Sequence, residues 1–273
     1  MRPFKGKSIL ITGAGRGIGK RLAIGFASAG AHVGLLARSK AELDLAHLEI
    51  EHAGGSSLRL KCDVRDYAHV QAAADRMVHH FGSVQILICA HSSFGAIGPL
   101  AGAPPDKWAE AVQTNLTGSM NACRAVLPGM VANRWGKIVL LTGPGADGPR
   151  PNFTAYSATQ AALVRFVESV AEEVSDSNIQ INCMNPGLTY TSLTDEILAA
   201  GHLAGAREIE EAALTRSNGG TPPDRQLLLS QFLCSERSNH ISGKLISVAD
   251  DWKRLEHLNS HSALYTLRRL QKV

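Results

Sequence analysis

The sequence predicts a doubly wound α/β fold, in which one parallel sheet of seven strands lies between two layers of helices. Short apolar runs of strand length alternate with helix-length segments along the chain. Two of these runs, 86–90 and 138–141, are continuously apolar, as expected of parallel strands that are buried on both faces. The 273 residues contain no internal repeat and no linker, which indicates a single domain.

The predicted elements follow in chain order. The strands are predicted at residues 8–12, 32–37, 58–63, 86–90, 137–142, 179–182 and 244–248. The helices are predicted at residues 17–29, 40–53, 67–81, 105–131, 153–174, 192–200 and 223–234. Two segments, 201–223 and the C-terminal tail 252–273, show no clear period and are predicted to be irregular. The domain is therefore expected to span residues 1–251, with the tail after it.

Composition argues against several classes of protein. Apolar residues make up 44% of the chain and charged residues 19%, which is ordinary for a globular protein. The net charge is +4, but the basic residues are scattered, which argues against nucleic-acid binding. No segment is apolar for long enough to cross a bilayer, and the N-terminus does not resemble a signal peptide. The five cysteines form no CxxC pair, so we expect buried free thiols in the cytoplasm and no metal site.

The first predicted strand runs directly into a glycine-rich turn, Thr12-Gly13-Ala14-Gly15-Arg16-Gly17-Ile18-Gly19. Its glycines allow a tight turn, close approach of the backbone to a pyrophosphate, and close packing of the next helix. The N-terminus of that helix offers unpaired N–H groups to phosphate. A strand, glycine-rich turn and helix at the head of a βαβ series are typical of Rossmann dinucleotide sites. The expected ligands are Gly13, Arg16, Gly17, Ile18 and Gly19.

The end of the second strand bears on the choice of dinucleotide. An acidic residue there would bind the ribose 2′-hydroxyl of NAD(H) and repel the 2′-phosphate of NADP(H). Ala37 stands at this position and Arg38 follows it, while Arg16 lies in the glycine-rich turn. Two guanidinium groups without a carboxylate favour a phosphate, so NADP(H) is the expected cofactor.

The TGxxxGIG spacing resembles that of the short-chain dehydrogenase/reductase family, and the resemblance extends over nearly the whole chain. Asp63-Val64 resembles the pair that contacts adenine in that family. Pro186-Gly187, with Thr191 four residues after the glycine, resembles the PGxxxT loop over the nicotinamide. The resemblance implies a variable substrate lid at 188–223 and a homodimer or homotetramer formed through the two long helices predicted at 105–131 and 153–174.

The resemblance also implies a set of catalytic residues. Family members use a tyrosine as acid/base, a lysine that lowers the tyrosine pKa and holds the ribose, a serine on the substrate oxygen, and an asparagine that fixes a water. Tyr156 and Asn115 correspond to the tyrosine and the asparagine. The lysine position, one helical turn after Tyr156, is Gln160, which can bond a ribose hydroxyl but carries no charge. The serine position is Gly143, so the neighbouring Thr142 either takes the serine role or is an ordinary residue at the end of a strand.

A third departure follows the fourth strand, where the family's NNAG element becomes Cys89-Ala90-His91-Ser92. His91 has a reference pKa suited to acid/base chemistry, but a histidine in such a loop is more often only packed or solvated. Two functions remain open. The first is a slow NADPH-dependent ketoreductase or alcohol dehydrogenase acting on a small polar carbonyl compound. The second is a catalytically impaired homologue that binds a nucleotide and serves as a binding or partner subunit.

Overall fold

The computed structural model describes residues 2–257 and 265–267. Within them, seven parallel strands form one sheet in the order β3-β2-β1-β4-β5-β6-β7. This confirms the predicted fold class, and the observed strand ends lie within a few residues of those predicted. The strands are β1 (Ser8–Thr12), β2 (His32–Ala37), β3 (Ser56–Lys61), β4 (Ile86–Cys89), β5 (Gly136–Leu141), β6 (Ile179–Asn185) and β7 (Leu245–Ser247).

Helices cover both faces of the sheet. One apolar core lies between the sheet and the first, second and last helices, and the other lies beneath the third, fifth and sixth. Burial on both faces explains why the central strands are almost wholly apolar. The α-helices in the described residues are α1 (Gly17–Ser28), α2 (Lys40–His52), α3 (Tyr67–Phe81), α4 (Pro105–Ala111), α5 (Gly118–Asn133), α6 (Thr154–Glu173), α7 (Ser192–Ala200), α8 (Ala206–Asn218) and α9 (Pro223–Leu233).

The single helix predicted over 105–131 is divided in the structure. A π-helical turn, Val112–Thr117, separates α4 from α5. Asn115 lies in this turn, where its Oδ1 accepts a hydrogen bond from the backbone N–H of Ser93 and its Nδ2 donates to the Ser93 carbonyl. These bonds join the turn to the loop after β4, and π-turns of this kind are frequent at functional sites.

The prediction of an irregular segment at 201–223 is wrong, because that segment contains α8. The helix is rich in good helix formers and ends at Gly219, whose φ of 80° is the left-handed conformation favoured after a helix. Only Ala212 and Thr215 of this helix are buried. A helix that buries so little of its surface leaves almost no apolar period in the sequence, which explains why the pattern did not reveal it.

The tail predicted to be irregular is described only in part. Trp252–His257 forms a short 3₁₀ helix. Tyr265 and Leu267 lie against the domain, since the Tyr265 carbonyl accepts from the N–H of Leu245 at 2.7 Å and the Leu267 carbonyl accepts from Arg165 at 3.1 Å. Residues 258–264 and 268–273 lie outside the described residues.

Strand β5 carries a fully buried lysine. The Nζ of Lys137 donates to Asn239 Oδ1 at 2.7 Å and to Ser238 Oγ at 3.3 Å, and 0% of the residue is exposed. Both acceptors are neutral, so neither hydrogen bond neutralises the positive charge of the Lys137 ammonium group. Burial lowers the pKa of Lys137 to about 8.

This lysine predicts a particular pH dependence of stability. The unfolded chain keeps the proton of Lys137 up to its ordinary pKa, whereas the folded chain releases it near pH 8. Between pH 8 and about 10.4 the unfolded state binds more protons, so Lys137 makes the free energy of unfolding rise with pH, by at most about 1.4 kcal/mol per unit. Urea unfolding of wild type and Lys137→Met across pH 7–10.5 measures the free energy of unfolding at each pH. If this free energy has the same pH dependence in both proteins, the prediction is contradicted.

Candidate functional site

A cavity of about 470 Å³ opens at the carboxyl ends of the strands, where the chain order of the sheet reverses between β1 and β4. Ligands of doubly wound folds bind in this crevice. Most residues that the sequence predicted as cofactor ligands line it. Those residues are Gly13, Arg16, Gly17, Ile18, Arg38, Asp63, Val64, Tyr156, Pro186 and Thr191.

The glycine-rich turn fits a pyrophosphate. Gly13 has a φ of 65°, and a Cβ there would lie 2.7 Å from the backbone nitrogen of His91. A Cβ on Gly19 would overlap the carbonyl oxygen of Gly13, so Gly19 supports the turn from behind. Helix α1 begins after Arg16 without a side-chain cap, which leaves the N–H groups of its first turn available to an anion.

The mouth of the cavity beside β2 carries both predicted arginines and one carboxylate. Arg38 makes no ion pair with any residue that the structure describes, whereas Arg16 lies 3.6 Å from Glu42 on α2. The sequence predicted no carboxylate at this place, and the position of Glu42 beside Arg16 corrects that prediction. The sequence could have placed Glu42 in the first turn of α2, because Ser39-x-x-Glu42 is the pattern of a capped helix. In the structure the Ser39 hydroxyl accepts from the Glu42 N–H.

The end of β3 supplies the two residues expected beside adenine. The Asp63 carboxylate binds the guanidinium of Arg65 through both oxygens, and these bonds hold the Asp63 pKa below its ordinary value. The carbonyl of Val64 accepts from Nδ2 of Asn121 at 2.9 Å, which fixes the loop to α5. Both residues line the cavity from this loop, which Asn121 anchors to α5.

The loop after β6 closes the other side. Thr191 caps α7 by accepting from the N–H of Leu193, and its Cγ2 lies where a Cβ on Gly17 would be 3.4 Å away. Gly187 has a φ of 72° and lines a second, smaller cavity of about 120 Å³ rather than the larger one. The Pro186 carbonyl accepts from Gln226 of α9. Thr191 of the PGxxxT segment therefore lies beside the glycine-rich turn.

Tyr156 lies at the junction of the two cavities and lines both. It belongs to the first turn of α6, is 6% exposed, and packs edge-on against Phe94 at 4.9 Å between ring centroids. A Cβ at position 143 would overlap the Tyr156 hydroxyl, so the phenol occupies space that a serine side chain would need. Gly143 is thus required by the position of the tyrosine.

Thr142 also lines both cavities. Its Oγ1 is buried and has no hydrogen-bond partner among the described residues. A buried hydroxyl without a partner is costly, so this oxygen is a polar atom that a ligand or a water would satisfy. The structure therefore brings Thr142 and Tyr156 to the same site.

Gln160 and Asn115 are buried behind the cavity wall rather than exposed in it. Gln160 Oε1 accepts from the N–H of Gly143 at 2.9 Å, and Gln160 is among the lining residues of neither cavity, so its bond to a ribose hydroxyl stays a prediction. Asn115 Nδ2 also donates to the Thr159 hydroxyl, and the backbone carbonyl of Asn115 accepts from the Ser119 hydroxyl. Both side chains therefore position the loops that form the site.

His91 has a packing role in this arrangement. The Thr12 hydroxyl accepts from the N–H of Ala90 and is hydrogen-bonded to His91 Nδ1 at 2.5 Å, and His91 Nε2 lies 3.4 Å from Ser119 Oγ. Burial lowers the pKa of His91 to about 4. A histidine that is neutral at pH 7 and bonded in this way favours the packed interpretation over an acid/base role.

Two charged residues at the site, Arg150 and Glu208, were not predicted from any sequence pattern. The guanidinium of Arg150 binds both carboxylate oxygens of Glu208 on α8, at 2.9 and 2.5 Å, although 58 residues separate the pair. Arg150 also lies over the rings of Phe153 and Tyr156, at 4.1 and 5.4 Å from their centroids. Burial raises the pKa of Tyr156 above its ordinary value, while Arg150 and Ser92 act in the opposite direction.

Other kinds of site find no support in the part of the chain that the structure describes. It contains no group of three or more histidine, cysteine, aspartate or glutamate side chains placed to hold a metal ion. None of its helices has the length and apolar character that a membrane span requires. All five cysteines are buried free thiols.

Comparison with known proteins agrees with this geometry. The chain is 31% identical over 255 residues to 7alpha-hydroxysteroid dehydrogenase of Escherichia coli K12, covering 89% of this chain and 93% of the relative. It superposes with a TM-score of 0.81 on NAD⁺-bound xylitol dehydrogenase, at 25% identity over 89% of this chain and 98% of the other. It superposes with a TM-score of 0.80 on a 7α-hydroxysteroid dehydrogenase in complex with NADH and 7-oxo glycochenodeoxycholic acid, at 28% identity over 90% of this chain and 94% of the other. The family model of the short chain dehydrogenases matches residues 7–201, and the chain belongs to that family.

Proposed function

We propose that the protein is an NADPH-dependent oxidoreductase that reduces the carbonyl group of a small polar compound. One observation carries the proposal: Tyr156 and Thr142 both line the large cavity and the small one, and the Thr142 hydroxyl has no hydrogen-bond partner among the described residues. A dinucleotide in the large cavity and a carbonyl compound in the small one would both reach these two residues. Similarity to dehydrogenases of several substrate classes supports an oxidoreductase of CH–OH and C=O groups.

The residues divide the work as follows. NADPH supplies the hydride when it is bound, and Tyr156 donates a proton to the carbonyl oxygen. Thr142 donates a hydrogen bond to that same oxygen, which gives its orphaned hydroxyl a partner. Asn115 and Gln160 act as positioning residues, since their bonds to Ser93 and Gly143 fix the two loops between which Tyr156 lies.

The small cavity has both polar and apolar walls. Its lining includes the threonines at 189, 194 and 215 and the carboxylates Glu208 and Glu211, all from the segment 188–223 that we propose as the lid, beside apolar side chains such as Phe94, Leu188 and Ile197. Its volume of about 120 Å³ supports a small substrate, and the threonines and carboxylates support a polar one.

NADPH is proposed over NADH because Arg38 has no carboxylate partner among the described residues and lines the cavity beside β2. Glu42 weakens this preference, since it neutralises Arg16 in part. A charge-assisted hydrogen bond contributes about 1.5–3 kcal/mol, so Arg38 alone is worth roughly a tenfold preference.

We expect NADPH to bind at least about tenfold tighter than NADH, and Arg38→Asp to reverse the order. Glu42→Gln is expected to tighten NADPH while leaving NADH nearly unchanged, because it frees Arg16 for the phosphate. Fluorescence titration of each protein with both nucleotides measures these affinities. Equal affinities in wild type, or no change in Arg38→Asp, contradict the assignment.

Tyr156→Phe is expected to lower turnover by about 10²-fold or more while NADPH affinity stays within about twofold, because only the proton donor is lost. Since burial raises the Tyr156 pKa, the phenol predominates at neutral pH, so reduction should be pH-independent there and alcohol oxidation should rise into the alkaline range. The measurement is NADPH oxidation with a panel of polar ketones. Tyr67→Phe, which removes an exposed hydroxyl on α3, is the matched control.

The lost serine and lysine favour the second function left open by the sequence, a nucleotide-binding subunit without catalysis. The NADPH-oxidation assay distinguishes the oxidoreductase from the nucleotide-binding subunit. If the wild-type protein binds NADPH but oxidises none of it with any ketone of the panel, the oxidoreductase proposal fails and the binding role replaces it.

A homodimer or homotetramer is proposed from the outer face of α5 and α6. A wide apolar groove of about 650 Å³ runs between these helices and includes Leu127, Val131 and Phe166. Val131 is 44% exposed, and an apolar groove of this size is typical of an interface.

Val131→Asp is expected to convert the assembly into monomers without unfolding them, because it places a charge in the groove but not in the core. Leu45→Asp is the matched control, since Leu45 on α2 is 64% exposed and lies away from the groove. Light scattering at micromolar concentration measures the mass. A monomeric wild type, or dissociation by both variants alike, contradicts the proposal.

A further inference from the structure

Arg150 is the buried cation closest to the proposed chemistry. It is 8% exposed, precedes α6, and lies in contact with three aromatic rings, those of Phe94, Phe153 and Tyr156. Neither cavity has a lysine among its described lining residues. The positive charge that the family places one helical turn after the tyrosine is therefore absent from α6 and present in this preceding loop.

We propose that Arg150 is a positioning residue that acts on the Tyr156 hydroxyl in place of the missing lysine, and that Glu208 of the lid helix α8 limits its effect. The inference rests on Tyr156 being the proton donor of the proposed function. It deepens that function by assigning the electrostatic control of the site to two residues, one in the β5–α6 loop and one in the lid.

Three groups face the phenol from the elements packed around it. Arg150 approaches from the loop before α6, Glu208 from α8, and Ser92 from the loop after β4. Burial raises the Tyr156 pKa, Arg150 and Ser92 lower it, and Glu208 raises it. The two members of the ion pair therefore act on the tyrosine with opposite signs.

A purely structural ion pair would behave differently. Loss of either member would leave a buried charge without its partner, and both losses would loosen the lid and the tyrosine in the same direction. An electrostatic role requires that removal of the cation and removal of the anion change the phenol in opposite directions. The sign of the two changes distinguishes the roles.

The experiment is an NMR titration of the full-length protein labelled with ¹³Cζ-tyrosine, without substrate or cofactor. The chain has four tyrosines, and Tyr156→Phe identifies the signal of interest by its disappearance. The expected result is that the Tyr156 phenol titrates at lower pH in Glu208→Gln than in wild type, and at higher pH in Arg150→Gln. Arg59→Gln, which removes a cation from the exposed Arg59–Asp44 pair, controls for net charge.

A second comparison covers the case in which Arg150→Gln fails to fold. The double variant Arg150→Gln/Glu208→Gln removes both charges of this ion pair, and its phenol is expected to titrate above that of Glu208→Gln. Shifts of the same sign in the two single variants overturn the proposal, as does a Glu208→Gln phenol that titrates no lower than wild type at any pH at which the protein is folded. The titration needs no turnover, so its outcome is independent of whether the enzyme proposal holds.

Discussion

The close contact between three backbone segments is the constraint on which the site depends. Gly13 approaches the backbone at Ala90 and His91, and Gly19 approaches Gly13, at distances that exclude a Cβ from either glycine. The Thr12 hydroxyl joins the same segments through its bonds to Ala90 and His91. This packing aligns the carboxyl ends of β1 and β4 at the same edge of the sheet. It leaves the first turn of α1 facing the crevice between them. The anion site is therefore a consequence of sheet packing.

The π-turn holds together the part of the site around Tyr156. Asn115 bonds to Ser93 on one side and to Thr159 of α6 on the other, so one side chain links the loop after β4 to the helix that carries Tyr156. Gln160 makes a second link between α6 and the loop after β5 through Gly143. At the position where the family resemblance predicts a lysine, Gln160 thus provides a hydrogen bond that supports the loop.

Local patterns were sufficient to predict the sheet, the glycine-rich turn and most helices, because these depend on period and on glycine spacing. The patterns failed where a contact joins residues far apart in the chain. Arg150 and Glu208 meet only because α8 folds back over the loop, and α8 itself buries too little surface to leave an apolar period. Glu42 could have been placed from the Ser39 capping pattern, but its approach to Arg16 depends on how α2 packs against α1.

The position of the Arg150–Glu208 pair bears on why it is retained. Buried ion pairs contribute little net stability, because desolvation of both charges offsets most of their attraction. Three aromatic rings around the guanidinium stabilise the cation further through cation–π attraction. Since the pair lines the small cavity on one side and contacts the Tyr156 ring on the other, its field would act where charge changes in the proposed proton transfer. Because the anion lies on α8, that field would depend on the position of α8 in the proposed lid, a dependence that a lysine within α6 would not create.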